Sequence, residues 1–256
     1  MEHVLSLSYG KDSLACIGAI EELGLTLDRI VHAEIWATDT IPADLPEMIE
    51  FKRYADAWIY ERTGIKVEHI IAEKDGRKVT YERIFYQVRK SGIIYGWPMV
   101  RGQWCNSCLK VTALNKATKD CNVYLGIAAD EPERQKRASF DKILPLVKAG
   151  WTENKCREWC ESNNILSPIY KHCSRGGCWF CHNQTVDQLR LLRKKHPEYW
   201  EYMMRWDSDS PVSFRPDGKT LHMFDTRFEM EDLGLVPKDR TFRWRMLTDE
   251  RCIKSP

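Results

Sequence analysis

Short apolar runs alternate with amphipathic segments along the first half of the chain. Between Asp12 and Leu23, for example, apolar residues recur at helical spacing, and Gly24 then ends the pattern. Such alternation is typical of a parallel sheet that helices cover on both faces. We therefore predict an α/β fold with a doubly wound, mostly parallel sheet. The predicted strands are His3–Ser8, Arg29–Ala37, Lys66–Ala72 and Val123–Ala128, and the predicted helices are Asp12–Leu23, Leu45–Thr63, Tyr81–Lys90 and Lys110–Lys119.

The pattern changes in the second half of the chain. A helix is predicted over Thr152–Asn163, with Thr152 as its N-cap, and a basic helix over Gln184–His196. The segment Ser167–Thr185 is loop-like and rich in cysteine, and Pro211–Pro256 has no clear periodicity. The predicted organisation is an α/β domain over residues 1–136 and a smaller cysteine-rich region of helices and loops over residues 137–256, folded onto it.

Composition narrows the class of protein. The 256 residues include 43% hydrophobic and 30% charged side chains, which is enough apolar material for a packed core. Basic and acidic residues nearly balance, so the net charge of +2 does not indicate an acidic partner. No apolar stretch approaches the roughly 18 residues that cross a bilayer, and the segment before the first glycine-containing turn is too short for a signal peptide. We expect a cytoplasmic protein that does not associate with membranes.

The turn between the first predicted strand and helix carries the clearest candidate chemistry. Such a turn points backbone N–H groups and the positive end of a helix at an anion, and Gly10 allows a close approach. Hydroxyl groups of Ser8 and Ser13 can donate to phosphate oxygens, and Lys11 supplies positive charge. The alternative is an ordinary strand-to-helix turn. We predict a phosphate-binding loop made of Ser8, Tyr9, Gly10, Lys11, Asp12 and Ser13.

Two further segments, Thr38–Thr40 and Ala129–Arg134, follow predicted strands directly. The carboxyl ends of parallel strands meet at one edge of a sheet, so these segments can converge on the same crevice as the loop. Acidic side chains there suit Mg²⁺ or ribose, and an arginine suits phosphate; simple charged loops are the alternative. The residues predicted to contribute to nucleotide binding are Asp39, Thr40, Asp130, Glu131 and Arg134.

Ten cysteines point to metal chemistry, because a reducing compartment does not favour a disulfide framework. Two C-x-x-C pairs can each supply half of a four-sulfur site, which an iron–sulfur cluster and zinc both accept. The predicted ligands are Cys105, Cys108, Cys178 and Cys181. A rival set is Cys160, Cys173, Cys178 and Cys181, which would form a local zinc site. The remaining alternative is a group of reduced thiols packed in the core.

Basic residues in the second half could form a nucleic-acid surface. They lie in the predicted basic helix and in the tail, where Phe242 and Trp244 are interleaved with them. A solvated helix face is the alternative. The basic residues concerned are Arg190, Arg193, Lys194, Lys195, Lys238, Arg240, Arg243, Arg245 and Arg251.

Several motifs together resemble a known family. The hexapeptide S-Y-G-K-D-S at residues 8–13 resembles S-G-G-K-D-S, the pyrophosphate-binding loop of the adenine nucleotide alpha-hydrolase (PP-loop) superfamily. Four other segments are similar to motifs of the phosphoadenosine phosphosulfate (PAPS) reductase family within it, and the resemblance extends from Val4 to about Asn183. It implies a Rossmann-like nucleotide-binding fold. The four segments are residues 35–40, 105–114, 124–134 and 164–181.

Three departures decide between the activities that the resemblance implies. Tyr9 replaces the first glycine of the loop, Ala128 replaces an arginine, and the chain lacks E-C-G-x-H, whose cysteine attacks the sulfuryl group in the reductases. The missing motif favours an ATP pyrophosphatase that adenylates a substrate for sulfur transfer to a nucleic acid or small molecule. A PAPS or adenosine phosphosulfate (APS) reductase-like enzyme is the alternative. A nucleotide-binding regulatory protein without catalysis is the second alternative.

The resemblance also implies cofactors and partners. ATP with Mg²⁺ is the expected nucleotide, with PAPS or APS as the alternative, and a [4Fe–4S] cluster is favoured over structural Zn²⁺ at the cysteines. The expected catalytic residues are Lys11, Asp12 and Lys110, of which Lys110 could instead be an exposed helix lysine. A sulfur donor protein and a nucleic acid are further possible partners.

Overall fold

The computed structural model describes residues 1–98, 103–139, 142–171 and 176–247. The chain divides into two compact units, of which the first comprises Met1–Arg83 and Trp104–Trp179 and the second comprises Ile84–Gln103 and Phe180–Pro256. This division differs from the predicted boundary between residues 136 and 137, because segments on both sides of that boundary belong to the first unit.

A parallel sheet of five strands forms the centre of the first unit. Its strand order is β3-β2-β1-β6-β7, and Val4 of the central strand lies opposite Arg29 on one side and Val123 on the other. The α/β class and the parallel sheet are therefore confirmed. The order reverses between β1 and β6, which is where parallel sheets of this type usually bind ligands. The strands are β1 (His3–Ser6), β2 (Arg29–Glu34), β3 (Val67–Ile71), β4 (Glu73–Lys74), β5 (Arg77–Lys78), β6 (Asn122–Tyr124) and β7 (Lys142–Ile143), with β4 and β5 forming a separate antiparallel pair.

The helices of the first unit follow the predicted pattern in its longer segments. The predicted helix over Leu45–Thr63 is observed with Pro46 as its first residue, and Gly64 ends it at a φ of 72°. The helix predicted over Tyr81–Lys90 is wrong beyond Phe85, because the chain there turns back in a bridge between Val88 and Ile94. The helices are α1 (Lys11–Glu22), α2 (Pro46–Thr63), α3 (Tyr81–Phe85), whose last two residues belong to the second unit, α4 (Trp104–Asn106), α5 (Thr112–Ala117), α6 (Pro132–Gln135), α7 (Pro145–Lys148) and α8 (Glu153–Ser162).

Most residues of helix α1 are buried, which makes it the most buried helix of the first unit. Its residues Leu14 and Ile17 are fully buried with Leu5 and Leu7 of the first strand region. It packs closely on α8 at Gly18, where a Cβ atom would lie 2.5 Å from the Trp159 ring. The absence of a side chain at Gly18 therefore allows this close contact. This packing fixes the axis of α1 and hence the direction of its N-terminus.

The second unit consists of helices around an aromatic core. Rings of Phe85, Trp97 and Trp206 lie 5.4 to 6.2 Å apart, and the buried Asp207 carboxylate accepts hydrogen bonds from Trp97 Nε1 and the Leu221 N–H. Helix α9 corresponds to the predicted basic helix, whereas α10 and α11 were not predicted. The helices are α9 (Val186–Lys195), α10 (Pro197–Asp209) and α11 (Leu221–Asp232).

Within the described ranges, no helix combines the length and the apolar character that a bilayer-crossing segment needs.

Candidate functional site

A cavity of about 850 Å³ lies in the first unit and is lined by residues that follow β1, β2 and β6. The predicted loop contributes Ser8 through Asp12 to its wall, and the segment after β6 contributes Glu131 and Arg134. Lys110 also lines the cavity. The structure therefore brings together most of the residues that the sequence singles out for nucleotide binding.

The loop leads into a helix N-terminus whose N-cap residue supplies no capping side chain. Gly10 is the N-cap of α1 and provides no side-chain cap, so the first N–H groups of the helix are not covered by a capping side chain. The Lys11 N–H donates to Tyr170 Oη at 3.0 Å. Ser13 lies beneath the loop, where its hydroxyl bonds the Ser8 N–H, the Ser8 hydroxyl and the Gly10 carbonyl. Ser13 therefore shapes the loop and does not line the cavity.

Gly126 lets the strand-end segment after β6 approach the loop. A Cβ atom there would lie 2.7 Å from both Ser13 Cα and Ser13 N, and 2.8 Å from the Asp12 carbonyl carbon. These contacts are with backbone atoms, which cannot rotate away. Only glycine fits at this position without moving the loop.

Tyr9 adopts the backbone conformation that glycine usually provides. Its φ is 56°, in the left-handed region, and its side chain is fully buried. The Tyr9 hydroxyl donates to Asp56 and lies 3.1 Å from His69 Nε2. His69 also contacts Glu34 Oε1 through Nδ1 at 2.8 Å. Tyr9, which stands where the similar motif has glycine, therefore has the left-handed backbone conformation of a glycine. Its hydroxyl connects the loop to Asp56 of α2 and His69 of β3.

The charges around Tyr9 shift the pKa values of this cluster. Hydrogen bonds to Asp56 and then to Glu34 raise the pKa of His69 to about 9, against an opposing effect of burial. Burial, followed by the hydrogen bond to Asp56, raises the pKa of Tyr9. The phenol is therefore a hydrogen-bond donor and His69 is a cation at neutral pH.

A second polar group lies on the β2 side of the cavity wall. Lys52 Nζ lies 2.5 Å from Asp44 Oδ2 and 2.8 Å from His32 Nε2, and His32 Nδ1 lies 2.9 Å from the Leu7 carbonyl oxygen. Burial and the adjacent Lys52 ammonium lower the pKa of His32. Sequence reasoning missed Asp44, Lys52 and His32, because only the packing of α2 against the sheet brings them to the cavity.

Three carboxylates gather on the opposite side of the loop. Oxygen atoms of Asp12, Glu131 and Glu153 lie within 4.8 Å of one another, and the Lys11 ammonium contacts Asp12 at 2.7 Å and Glu153 at 2.9 Å. Burial lowers the pKa of Lys11, but these two hydrogen bonds outweigh it and leave the pKa raised. Arg134 pairs with Glu131 at 2.7 Å. Oxygen ligands at this spacing suit a hard cation such as Mg²⁺.

Asp130 has a supporting position rather than a place in the cavity wall. Its Oδ1 accepts the Glu153 N–H at 2.9 Å, in the first turn of α8. The Ala129 N–H donates to the Trp151 carbonyl at 2.8 Å. These two bonds join the segment after β6 to the start of α8 and so bring Glu153 to Glu131. Glu153 was not among the predicted site residues, because it lies far from the loop along the chain.

Lys110 lies in a π-helical turn, Ser107–Val111, between α4 and α5. It is partly buried, and among the described residues its ammonium has no hydrogen-bonded or ion-pair partner. Burial lowers its pKa. A π-helical turn is frequent at functional sites, and an unpaired cation on a cavity wall is available to an anionic ligand.

Asp39 and Thr40 are not brought to the cavity. The second predicted strand is wrong beyond Glu34, because Trp36 forms a bridge with Pro42 and the chain turns outward between them. Asp39 is exposed there and pairs with Arg83 at 2.8 Å. Among the described residues, Asp39 therefore belongs to a surface ion pair and does not line the cavity.

The predicted metal ligands are distributed over both units. Cys105, Cys108 and Cys178 belong to the first unit, and Cys178 lines the cavity, whereas Cys181 belongs to the second unit. In the described ranges of the first unit, the sulfur atoms of those three cysteines do not gather within 4.8 Å. Four sulfurs at about 2.3 Å from a zinc ion would be closer together than that, while a four-iron cluster spaces its thiolates further apart. The four-cysteine site stays a prediction.

The rival zinc set has an unsuitable member. Cys160 is fully buried in α8, and its thiol donates to the Lys11 carbonyl at 3.3 Å. Burial raises its pKa to about 12, which disfavours the thiolate that a metal needs. Cys173 lies outside the described residues.

Two of the four basic residues in the helix of the second unit are paired with acidic neighbours. Arg190 bonds Glu231 at 2.7 Å, and Arg193 contacts Asp225 at 2.7 Å and Asp232 at 3.1 Å. These arginines are committed to α11 and are not free to contact phosphates. The predicted nucleic-acid surface therefore loses two of its cations, and Arg251 lies outside the described residues.

Comparisons with known proteins add no assignment. Neither a scan against protein-family models nor a search of curated proteins finds a match to the chain.

Proposed function

We propose that the first unit is a nucleotide-binding domain of the adenine nucleotide alpha-hydrolase type and that it acts as an ATP pyrophosphatase. It would attach AMP to a substrate and release pyrophosphate. The observation that carries the proposal is a helix N-terminus without an N-cap side chain next to three carboxylates, Asp12, Glu131 and Glu153, on the wall of one cavity. A helix N-terminus binds phosphate, and gathered carboxylates bind the cation that accompanies a polyphosphate.

Charge balance favours a nucleotide that brings a cation. Three carboxylates face two cations, Lys11 and Arg134, in this part of the wall. A bare triphosphate would be repelled by the excess negative charge. Mg²⁺ held by these carboxylates would neutralise the phosphates and polarise the bond that breaks. In the proposed complex Lys11 exchanges its carboxylate partners for phosphate oxygens, and Glu153, which is half exposed, turns to the cation.

The proposed reaction is a displacement at the α-phosphorus. A substrate oxygen forms a bond to the α-phosphorus as the bond from that phosphorus to the bridging oxygen breaks, and pyrophosphate leaves with the electron pair. The substrate proton passes to solvent. The loop N–H groups and the Lys11 ammonium stabilise the leaving pyrophosphate. Lys110 lines the same cavity and has no hydrogen-bonded or ion-pair partner among the described residues, so its ammonium can stabilise further negative charge that develops on the phosphates.

Sulfur transfer is the second half of the proposal. A sulfur nucleophile would attack the activated carbon of the adenylated substrate, and AMP would leave with the electrons of the broken carbon–oxygen bond. The support is the resemblance to the PAPS reductase family and the place of Cys178 on the wall of the same cavity.

Thermal unfolding of the full chain tests the nucleotide assignment. We expect Mg-ATP at about 100 times its dissociation constant to stabilise the protein by about 2.7 kcal/mol, and ATP with EDTA to stabilise it much less. In Glu153→Gln the advantage of adding Mg²⁺ should shrink. The matched control is Glu158→Gln, which changes an exposed carboxylate on the same helix.

Other outcomes separate the remaining activities. Stabilisation by PAPS but not by Mg-ATP would contradict the pyrophosphatase and favour a sulfonucleotide enzyme. If the purified chain, supplied with protein-free cell extract as the source of acceptor, yields ADP and phosphate in place of AMP and pyrophosphate, cleavage at the α-phosphorus is excluded. Binding of Mg-ATP with neither pair of products would favour a nucleotide-binding regulatory protein.

A further inference from the structure

Asp44, Lys52 and His32 form a built polar group on the cavity wall. Lys52 is 8% exposed and His32 is 6% exposed, so both have left bulk water. The Leu7 carbonyl can only accept a hydrogen bond, so His32 Nδ1 carries the proton and Nε2 accepts from the Lys52 ammonium. The histidine is therefore neutral, and Lys52 is held from two directions, by His32 and by Asp44.

The group retains bonding capacity on the cavity side. An ammonium has three N–H donors, and Lys52 uses one on His32 and one on Asp44 Oδ2. Among the described residues, neither its third N–H nor Asp44 Oδ1 has a hydrogen-bond partner in the protein, although the ammonium also lies 5.2 Å from the centre of the Tyr9 ring. Both residues line the cavity. A ligand group that both donates and accepts a hydrogen bond would satisfy them together.

The charges of these three residues by themselves do not favour a phosphate, although the Lys110 ammonium lies near enough to act on Lys52 and Asp44. The Lys52 ammonium and the Asp44 carboxylate cancel, and His32 is neutral, so the group as a whole carries no net charge. A phosphate would gain one donor but would face the Asp44 carboxylate. A hydroxyl group gains from both sides, because it donates to Asp44 and accepts from Lys52.

The position of the group relates it to the phosphate loop. Lys52 Nζ lies 5.2 Å from the centre of the Tyr9 ring, on the side of the loop away from Glu131 and Glu153. The chain around Asp44 is fixed, since the Ala43 N–H donates to the Ile35 carbonyl at 2.9 Å. In a nucleotide the group attached directly to the α-phosphate is the ribose. Its 2′ and 3′ hydroxyls are the neighbouring groups that donate and accept.

We propose that Asp44 and Lys52 bind the ribose diol of the nucleotide whose phosphates lie on the Ser8–Ser13 loop. This inference rests on the proposed function and adds the direction in which the nucleotide lies. The nucleoside lies on the β2 side of the loop, and the outer phosphates lie toward Glu131 and Glu153.

Binding of sugar-modified nucleotides tests the proposal. Dissociation constants of the full chain are measured by calorimetry for the Mg²⁺ complexes of ATP, 2′-deoxyATP and 3′-deoxyATP and of inorganic triphosphate. We expect at least one deoxy analogue to bind about tenfold more weakly than ATP, as for loss of one hydrogen bond to a charged group. In Asp44→Asn that ratio should fall to about twofold, while the affinity for triphosphate is unchanged.

Two further variants control the measurement. Glu50→Gln alters an exposed carboxylate of α2 that does not line the cavity, and it should keep the full preference for ATP. Asp44→Ala removes the acceptor without adding an amide, so it replaces Asp44→Asn if that variant unfolds at a lower temperature than the wild type.

Each remaining outcome is decisive. Equal affinity of the wild type for ATP and both deoxy analogues overturns the proposal, and so does an Asp44 variant that keeps the full ratio. A loss of triphosphate affinity in the Asp44 variants would mean that Asp44 acts on the loop instead of the ribose. If the wild type binds neither ATP nor triphosphate, the proposed function fails as well, which distinguishes that result from a failure of the ribose assignment alone.

Discussion

The two sides of the Ser8–Ser13 loop use similar residue types in different ways. On the β2 side, Tyr9 is fully buried, and the Asp56 and His69 side chains that hold it are about 30% exposed and bonded to each other. On the other side, Glu153 and Arg134 are 51% and 49% exposed. The first arrangement fixes a backbone conformation, while the second leaves charges that can change partners.

The physical reason for the difference is the cost of removing charges from water. A partly buried charge that loses its partner is strongly destabilised, so the network around Tyr9 keeps its partners. An ion pair with an exposed member contributes about 0–1 kcal/mol. The bond from Lys11 to Glu153 can therefore be exchanged for a ligand at little cost. Residues on the β2 side therefore fix the conformation of the loop, whereas residues on the other side supply charges that can bind a ligand.

The largest effect that would test this comparison is expected at Lys11. Lys11→Ala should weaken Mg-ATP binding roughly 10- to 100-fold, because a charge-assisted hydrogen bond to phosphate is lost. Calorimetry on the full chain measures the change. Lys155→Ala removes an exposed lysine of α8 and should bind as the wild type does. Unchanged affinity in Lys11→Ala would show that this side of the loop does not meet the phosphates.

The next effect concerns the shaping side. Tyr9→Phe should lower the free energy of unfolding by about 1–2 kcal/mol, because the Asp56 carboxylate loses a hydrogen-bond donor. Thermal and urea unfolding measure it. Tyr60→Phe, on an exposed tyrosine of the same helix as Asp56, should change stability by less than about 0.5 kcal/mol. Equal effects of the two substitutions would contradict the anchoring role of Tyr9.

The smallest effect is a dependence on pH. The pKa of His69 is raised from an unfolded value near 6.5 to about 9, so the protonated form stabilises the native state. This contribution is fully present below about pH 6.5 and is lost as pH rises through about 9. Since His69 is partly exposed, we expect a loss of about 1 kcal/mol relative to His69→Gln across this range. Parallel stability curves for the two proteins would refute the assigned pair with Asp56 and Glu34.

The second unit shows why charge patterns in a sequence are ambiguous. The basic helix α9 was a candidate nucleic-acid surface, but Arg190 and Arg193 bond acidic residues of α11. Helix α11 itself escaped prediction because Arg227 and Glu231 occupy buried positions. An ion pair between them, at 2.6 Å, replaces apolar side chains and obscures the helical spacing. Only the packing of the two helices distinguishes a paired arginine from a free one.

Local signals placed the main elements of the first unit. The N-cap at Thr152 is confirmed, since its hydroxyl accepts the Lys155 N–H at 3.3 Å. Strand β7, with two residues, was missed because it is too short for a pattern of its own. Element ends were less well predicted where turns depend on distant contacts, as at Glu34, beyond which Trp36 pairs with Pro42.

The alternation of strands and helices and the position of the Ser8–Ser13 loop between the first strand and helix follow from the sequence, because hydrophobic spacing and turn residues act over a few neighbouring positions. Tertiary structure decided which charged residues meet that loop. Asp44 and Lys52 on one side and Glu153 on the other reach the cavity through the packing of α2 and α8. Nothing in their local sequence marks them, since a side chain that acts across the fold is selected by its distance in space and not by its neighbours in the chain.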